Sequence, residues 1–398
     1  MKKERTFILT INSGSSSIKF ALYRVGNIPA RLLYGKIDRI GLEYSTFTFN
    51  NVKGVHQDIP EAGISDYHSS VIFLIDWLEK QIDFSNLRGV GHRVVFGMKH
   101  TEPELITQKL LDELRSITTY DPDHLPAEIE LIKVFRQRYP NMSQVACFDT
   151  AFHRTMPRVA KLLPIPLRFD RIGIQRFGFH GLSYAYLIQE LVRVAGKRVA
   201  NGRVILAHLG NGASIAAVFK GKSIDTSMGF TPAGGMIMGT RPGDLDPGVA
   251  WYMMKSENLT PKQFNNLINH ESGLLGISET SSDMRDLLGK ESDDIRAAEA
   301  VALFCYQAKK WIGAFATVLG GLDTLVFAGG IGENCPAIRS RICEGLGFLG
   351  IGLDEKQNNK NAPTISKEKK SVAVRVIHTD EEWMIAKTVK QVLNITKK

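Results

Sequence analysis

Short apolar runs alternate along the chain with longer stretches in which apolar residues recur every three or four positions. The runs at 7–11, 18–23, 88–95 and 144–148 are rich in Ile, Val, Leu and Phe and read as strands. Between them, residues 69–80, 107–117 and 126–138 carry the period of amphipathic helices. The second half repeats the habit, with strands at 203–208, 214–219 and 323–328 and helices at 181–194, 293–319 and 335–345. A strand at 371–377 and a helix at 381–393 follow, and that helix can cross back to the first half. Strands that alternate with helices predict an α/β protein. The stretch 149–166, with Pro157, Pro164 and Pro166, lies between the halves, and the Asn- and Lys-rich stretch 356–370 reads as an exposed loop.

Two segments repeat one another half a chain apart. Ile8-Leu-Thr-Ile-Asn12-Ser-Gly14-Ser-Ser-Ser17-Ile18 and Val204-Ile-Leu-Ala-His208-Leu-Gly210-Asn-Gly-Ala-Ser214-Ile215 are each an apolar run, a small polar turn and a resumed run. Such hairpins present free backbone NH groups that suit phosphate oxygens, and two of them suggest a duplicated domain closing on one polyphosphate. In the first copy Asn12, Ser15 and Ser17 offer donors and metal-facing oxygens, and strand alternation puts Lys19 on the face of Ser17. A serine-rich hairpin with a surface lysine fits the same residues. A third glycine-rich turn, Ala328-Gly329-Gly330-Ile-Gly332-Glu333-Asn334, joins a strand to a helical pattern, where a ring or ribose can approach the backbone closely or the chain simply turns into a helix. It lacks the last glycine of a dinucleotide fingerprint, because Cys335 stands there. The segment from Ala216 to Ser223 imitates a P-loop, but Ala216 takes the place of the first glycine and no helix clearly opens after it, so it reads as a hairpin turn.

With 398 residues, 43% of them apolar and 23% charged, the chain is long enough for two or more globular domains. The net charge of +9 comes without zinc-finger spacing, an RNA-recognition signature or a basic-aromatic stripe, which predicts no nucleic-acid partner and a basic surface that attracts anionic substrates. Four cysteines without Cys-x-x-Cys spacing predict reduced thiols in a cytoplasmic protein. The ten histidines show no zinc spacing. The opening apolar stretch is too short for a signal peptide, and the long helical pattern at 293–319 carries Glu299, Lys309 and Lys310, so no membrane span is expected.

Seven motifs then occur in one order: Asn12-Ser-Gly-Ser-Ser-Ser-Ile-Lys19, Gly91-His-Arg93-Val-Val95, Phe148-Asp149-Thr-Ala-Phe-His153, Phe177-Gly-Phe-His180, His208-Leu-Gly-Asn-Gly212, Asp225-Thr-Ser-Met-Gly-Phe-Thr-Pro232 and Met238-Gly-Thr-Arg241. Together they resemble the motifs of the acetate kinase family, from residue 7 to about 388. That family shares a superfamily with sugar kinases, heat-shock chaperone ATPases and actin. The resemblance implies two actin-like (ribonuclease H-like) domains, residues 1–150 with 383–398 and residues 151–382, and a nucleotide cleft between them. It implies reversible, magnesium- or manganese-dependent transfer from ATP to acetate, giving ADP and acetyl phosphate, in a homodimer. By the same resemblance Asn12 and Glu381 hold the metal, while Lys19 and the run His208, Leu209, Gly210, Asn211 and Gly212 face the phosphates. Asp283, Met284 and Arg285, with Gly330, Ile331, Gly332, Glu333 and Asn334, flank the adenosine. Arg93 binds the carboxylate, Asp149, His180 and Arg241 gather at the transferring phosphoryl group, and Val95, Phe179 and Pro232 wall the methyl pocket.

The residue types suit the chemistry on their own terms. A carboxylate approaching an anionic phosphate needs concentrated positive charge, which Arg93, Arg241, His180, Lys19 and a metal supply. The acid, with a pKa near the ~4.3 of glutamate, is already ionised at neutral pH, so a general base has little to remove and Asp149 is expected to orient metal or an arginine. Plainer roles also fit: His92 and His153 as core histidines, Arg93 as an ion-pair partner, Asp283-Met-Arg285 as a helix start. The chain departs from the family where Phe96-Gly97-Met98 replaces His-Gly-Gly, where Ala233-Gly-Gly235 replaces Leu-Glu-Gly, and where Asp123 replaces a leucine of the methyl pocket. Asp123 must turn away, be paired, or change the preferred acid. Propionate or another short-chain acid is the natural alternative, since a small pocket discriminates one methylene by only ~1–3 kcal/mol. An actin- or chaperone-like ATPase switch is the reading from another class, and it gives no reason for Arg93, Arg241 and His180 to converge.

Overall fold

The computed structural model describes residues 6–14, 17–40, 45–51, 66–368 and 370–395, and the backbone alone at 56–60. The chain divides into two compact units, Met1–Ala151 with Asp380–Lys398, and Phe152–Thr379.

The first unit is built on a sheet of eight strands: β1 (Phe7–Ser13), β2 (Ser17–Arg24), β3 (Ala30–Asp38), β4 (Thr46–Asn51), β5 (His56–Pro60), β6 (Leu87–Val94), β7 (Glu104–Leu105) and β8 (Gln144–Phe148). Their order is β5-β4-β3-β2-β1-β6-β8-β7. Consecutive strands β1 to β5 pair antiparallel, whereas β6 and β8 run parallel to β1. Parallel pairing needs a crossover, and the helices Tyr67–Gln81 and Leu125–Arg138 lie in those connections. Leu9, Ile11, Phe20, Phe47, Leu74, Leu78 and Phe135 form one core from sheet and helices together. The helix Glu381–Val392 packs on β1 and β6 from the far end of the chain. Gly89 and Gly91 make room for it: a Cβ on Gly91 would lie 2.4 Å from Ile385 Cγ2, and one on Gly89 2.5 Å from Leu393 Cδ1.

The second unit carries β9 (Arg203–Leu209), β10 (Ala213–Phe219), β11 (Lys222–Thr226), β12 (Thr324–Ala328) and β13 (Ala373–Val376), ordered β11-β10-β9-β12-β13. β9 to β11 are antiparallel, and β12 and β13 continue parallel to β9. This is the order β3-β2-β1-β6-β8 over again. The duplicated segments of the sequence are the hairpins β1–β2 and β9–β10, so each unit is an actin-like domain of α/β type. Among the described residues no helix is long and apolar enough to cross a membrane.

Two readings of local sequence meet different outcomes. The P-loop imitation is the β10–β11 hairpin, with Lys220 and Gly221 at φ of 53° and 72° in its turn. The stretch 356–370 is not simply an exposed loop: Glu355–Asn359 is a short helix, and Asn358 is buried beneath Arg339.

Candidate active site

Three strand ends of the first unit deliver polar groups to one place. β1 ends in Asn12 and Ser13, β6 brings Arg93, and Asp149 directly follows β8, as expected of parallel sheets, whose carboxyl ends carry sites. Arg93 donates from Nη2 to Asp149 Oδ2 at 2.6 Å and from Nη1 to Asn12 Oδ1 at 3.2 Å. Asp149 is fully buried, and its own NH donates to the Val94 carbonyl at 3.0 Å. Burial opposes the charge on Arg93, but Asp149 and Glu381 outweigh it and hold the guanidinium protonated. The other side of the Asn12 amide donates to Glu381 at 2.9 Å and to Glu382 at 3.2 Å. Burial raises the Glu382 carboxyl above its ordinary range, Lys19 lowers it and Glu381 adds to the rise. The two glutamates offer hard carboxylate oxygens, the ligand type that magnesium takes, whereas Asn12 turns its NH2 group to them and gives its oxygen to Arg93. Lys19 pairs with Asn12 across the hairpin and is exposed, Ser17 is half-buried, and Ser15 lies outside the described residues.

The first unit also contains groups the motifs did not point to. Ser13 Oγ and Tyr67 OH are 2.6 Å apart. Both oxygens of Glu128 accept from the NH of Val95, at 3.1 and 3.2 Å. Glu128 is 2% exposed, on a helix face shared with Leu125, Ile129 and Ile132. A glutamate in register with that apolar stripe was the available signal. Asp123 is half-buried, and its neighbour Asp121 is buried against His124 Nδ1 at 2.7 Å.

In the second unit His180 begins the helix Gly181–Ala195 with a left-handed backbone, φ 58°, a conformation rarely taken by a residue with a side chain unless its surroundings require it. Its ring stacks on His208 with centroids 4.3 Å apart, and its Nδ1 lies 2.8 Å from Ser214 Oγ. His208 is fixed in turn by Ser183, 2.8 Å from its Nδ1. Arg241 donates to the Pro232 carbonyl at 2.8 Å. Arg241 and His180 meet over Gly212, where a Cβ would stand 3.0 Å from Arg241 Nη2 and 3.3 Å from His180 Nε2. Only a glycine leaves that space open.

Beside this loop lies a cavity of about 530 Å³, lined by Gly210, Asn211, Asp283, Met284, Arg285, Gly330, Ile331 and Asn334 among others. Ser282, Leu288 and Cys335, which the motifs did not single out, complete its wall. Asp283 is also the N-cap of the helix Met284–Lys290, so a residue that starts a helix also lines the cavity. Gly332 and Glu333 do not line the cavity. Glu333 accepts from the NH groups of Gly329 and Thr379, and the Gly332 carbonyl accepts from Arg339. Leu209 is buried, with its carbonyl under Gly329. Val95 belongs to the first unit and Phe179 and Pro232 to the second. His153 is a satisfied core histidine, between Ser223 Oγ at 2.8 Å and the Phe179 carbonyl at 2.9 Å.

Comparison with known proteins gives these geometries a setting. The family model described as the acetokinase family matches residues 7–387. An acetate kinase of Rhodopseudomonas palustris is 41% identical over 96% of this chain and 97% of its own length. A propionate kinase of Citrobacter rodentium is 40% identical over 97% of this chain and 96% of its own. The crystal structure of Porphyromonas gingivalis acetate kinase superposes with a TM-score of 0.86 at 34% identity, covering 98% of this chain and all of that one.

Proposed function

The chain belongs to the acetokinase family, and from that premise we propose how its residues carry phosphoryl transfer between ATP and a short-chain carboxylate. In the forward direction a carboxylate oxygen bonds to the γ-phosphorus, the bond from that phosphorus to the β–γ bridging oxygen breaks, and ADP leaves with the electron pair. The observation that carries the reading is the convergence of Arg241 Nη2 and His180 Nε2 over Gly212, next to the Gly210 and Asn211 wall of a cavity that suits the adenosine. Donors held in place before reaction stabilise the charge that develops on a transferring phosphoryl group.

Arg93 is the carboxylate's partner. Its fork already meets one carboxylate, Asp149, at 2.6 Å, which fixes the plane in which a second would bind. Asp149 thus orients an arginine, and no proton needs to leave the substrate. Asn12 and Glu381 would hold magnesium, which neutralises phosphate charge when bound. Acetate is the acceptor this reading favours, with propionate one methylene away. The relatives named for the two acids match equally well.

We extend the proposal to a homodimer in the cytoplasm, where the four cysteines stay as free thiols. The helix Pro247–Ser256 buries none of its residues and presents Trp251 and Tyr252 at 61% and 66% exposure, a surface suited to a second copy. Trapping product with hydroxylamine tests the activity: ATP, magnesium and acetate or propionate should give acyl hydroxamate. ATP hydrolysis with no hydroxamate would point to an ATPase switch instead. Light scattering of the wild type and Trp251→Asp tests the dimer, which the aspartate should dissociate.

A further inference from the structure

The backbone at the carboxyl end of β6 has one donor that no neighbouring strand takes up. Pairing of β6 with β1 runs to His92, and pairing with β8 runs to Val94. Beyond that the Val94 carbonyl still accepts from Asp149, but the NH of Val95 has left the ladder. Val95 is 2% exposed, so water does not serve it, and an orphaned buried NH is costly. Glu128 fills the need from the neighbouring helix, with both oxygens within 3.2 Å of that nitrogen.

A carboxyl is a demanding choice for one backbone NH, because burying it costs far more than burying an amide. The charged groups around it account for its tolerance. Arg93 on β6 is the attractive charge, and Asp121 before the helix and Asp149 after β8 are the repulsive ones. Tyr67, at the start of the helix Tyr67–Gln81, feels the same carboxyl. His124, which begins the helix of Glu128, is turned to Asp121. Burial first, and Asp121 second, raise the Glu128 carboxyl well above its usual range. The carboxyl is thereby less acidic than an ordinary glutamate, while Arg93 remains its attractive charge.

We propose that Glu128 is a positioning residue for carboxylate binding, holding the Arg93-Val94-Val95 segment through the Val95 NH so that the Arg93 fork meets the acid in a fixed direction. This rests on the reading of Arg93 as the carboxylate's partner. Positioning through a backbone clamp acts on one substrate more than the other: the acid meets Arg93, whereas the cavity lined by Asp283, Arg285 and Gly330 is built from the second unit alone.

Two conservative variants separate the clamp from mere support of the fold. Glu128→Gln keeps an acceptor at the same reach and should leave the KM for acetate within about twofold of wild type. Glu128→Asp keeps the acid but withdraws it by one methylene, and should raise the KM for acetate roughly 10–100-fold, the scale of a ~1 Å misplacement, with the KM for ATP unchanged. Thermal melts run alongside report the fold. A wild-type KM for acetate in Glu128→Asp would overturn the proposal. So would equal damage to both variants, or equal shifts in the two KM values. The wild type is assayed first, and failure to form hydroxamate there defeats the reaction assignment itself, whereas a productive wild type with unsplit variants defeats only the clamp.

Discussion

At the scale of single residues, the proposed site gathers cations whose directions are fixed by their hydrogen-bonding neighbours. Asp149 sits fully buried against Arg93 at 2.6 Å, and a charge-assisted bond of that kind contributes ~1.5–3 kcal/mol. Asp149→Asn is therefore expected to lower kcat/KM for the carboxylate about 10–100-fold, with the loss mainly in KM, read by hydroxamate formation. Near-normal turnover with unchanged magnesium dependence would remove Asp149 from the site. Gly212 makes the complementary point by absence of atoms. Gly212→Ala places a methyl 3.0 Å from Arg241 Nη2 and 3.3 Å from His180 Nε2, so both must give way by a few tenths of an ångström. We expect kcat to fall roughly tenfold or more while the melting temperature stays close to wild type, since such small misplacements weigh on catalysis more than on packing.

Among elements, what could be read from sequence follows burial. β1, β8, β9, β10 and β12 are buried along nearly their whole length and announce themselves as continuous apolar runs. β3 is half-exposed, with Arg31, Tyr34 and Lys36 among its apolar residues, so no run marks it. Asn12 and Asp149 were legible where an apolar run breaks into polar residues, whereas Arg93 lies inside the run 88–95 and was singled out by the family motif around it. Glu128 and Arg339 were not legible, because a charged residue within a helical pattern is normally the solvated face. Arg339 is wholly buried, and it donates to Asn358 Oδ1, the carbonyls of Asn358 and Gly332, and Asn361 Oδ1, all neutral oxygens. It ties the helix Gly329–Asn334 to a stretch that reads as loop. Arg339→Met should leave these acceptors unmatched, cost about 2–4 kcal/mol and lower Tm by several degrees in calorimetry, with a rise in the KM for ATP.

In the molecule as a whole, each unit contains a buried histidine that shapes its response to acid. Burial pushes His92 of the first unit down to about 3 and His153 of the second to about 4. The unfolded chain, with histidines near ~6.5, takes up these protons first, so stability is full above that pH and is lost as pH falls toward 4, by about 1.4 kcal/mol per pH unit for each group. Urea melts between pH 7 and pH 5 should show this loss, and His92→Leu should flatten the slope of the first unit by one proton. The helix Glu381–Val392, which fills the space left by Gly89 and Gly91, has a consequence during synthesis. At ~5–20 residues per second the ribosome spends roughly 10–45 s on Phe152–Thr379 after the first sheet has emerged and before the piece that covers it exists. The unit begun first is finished last. Its apolar face over β1 and β6 must wait uncovered until the last helix is made.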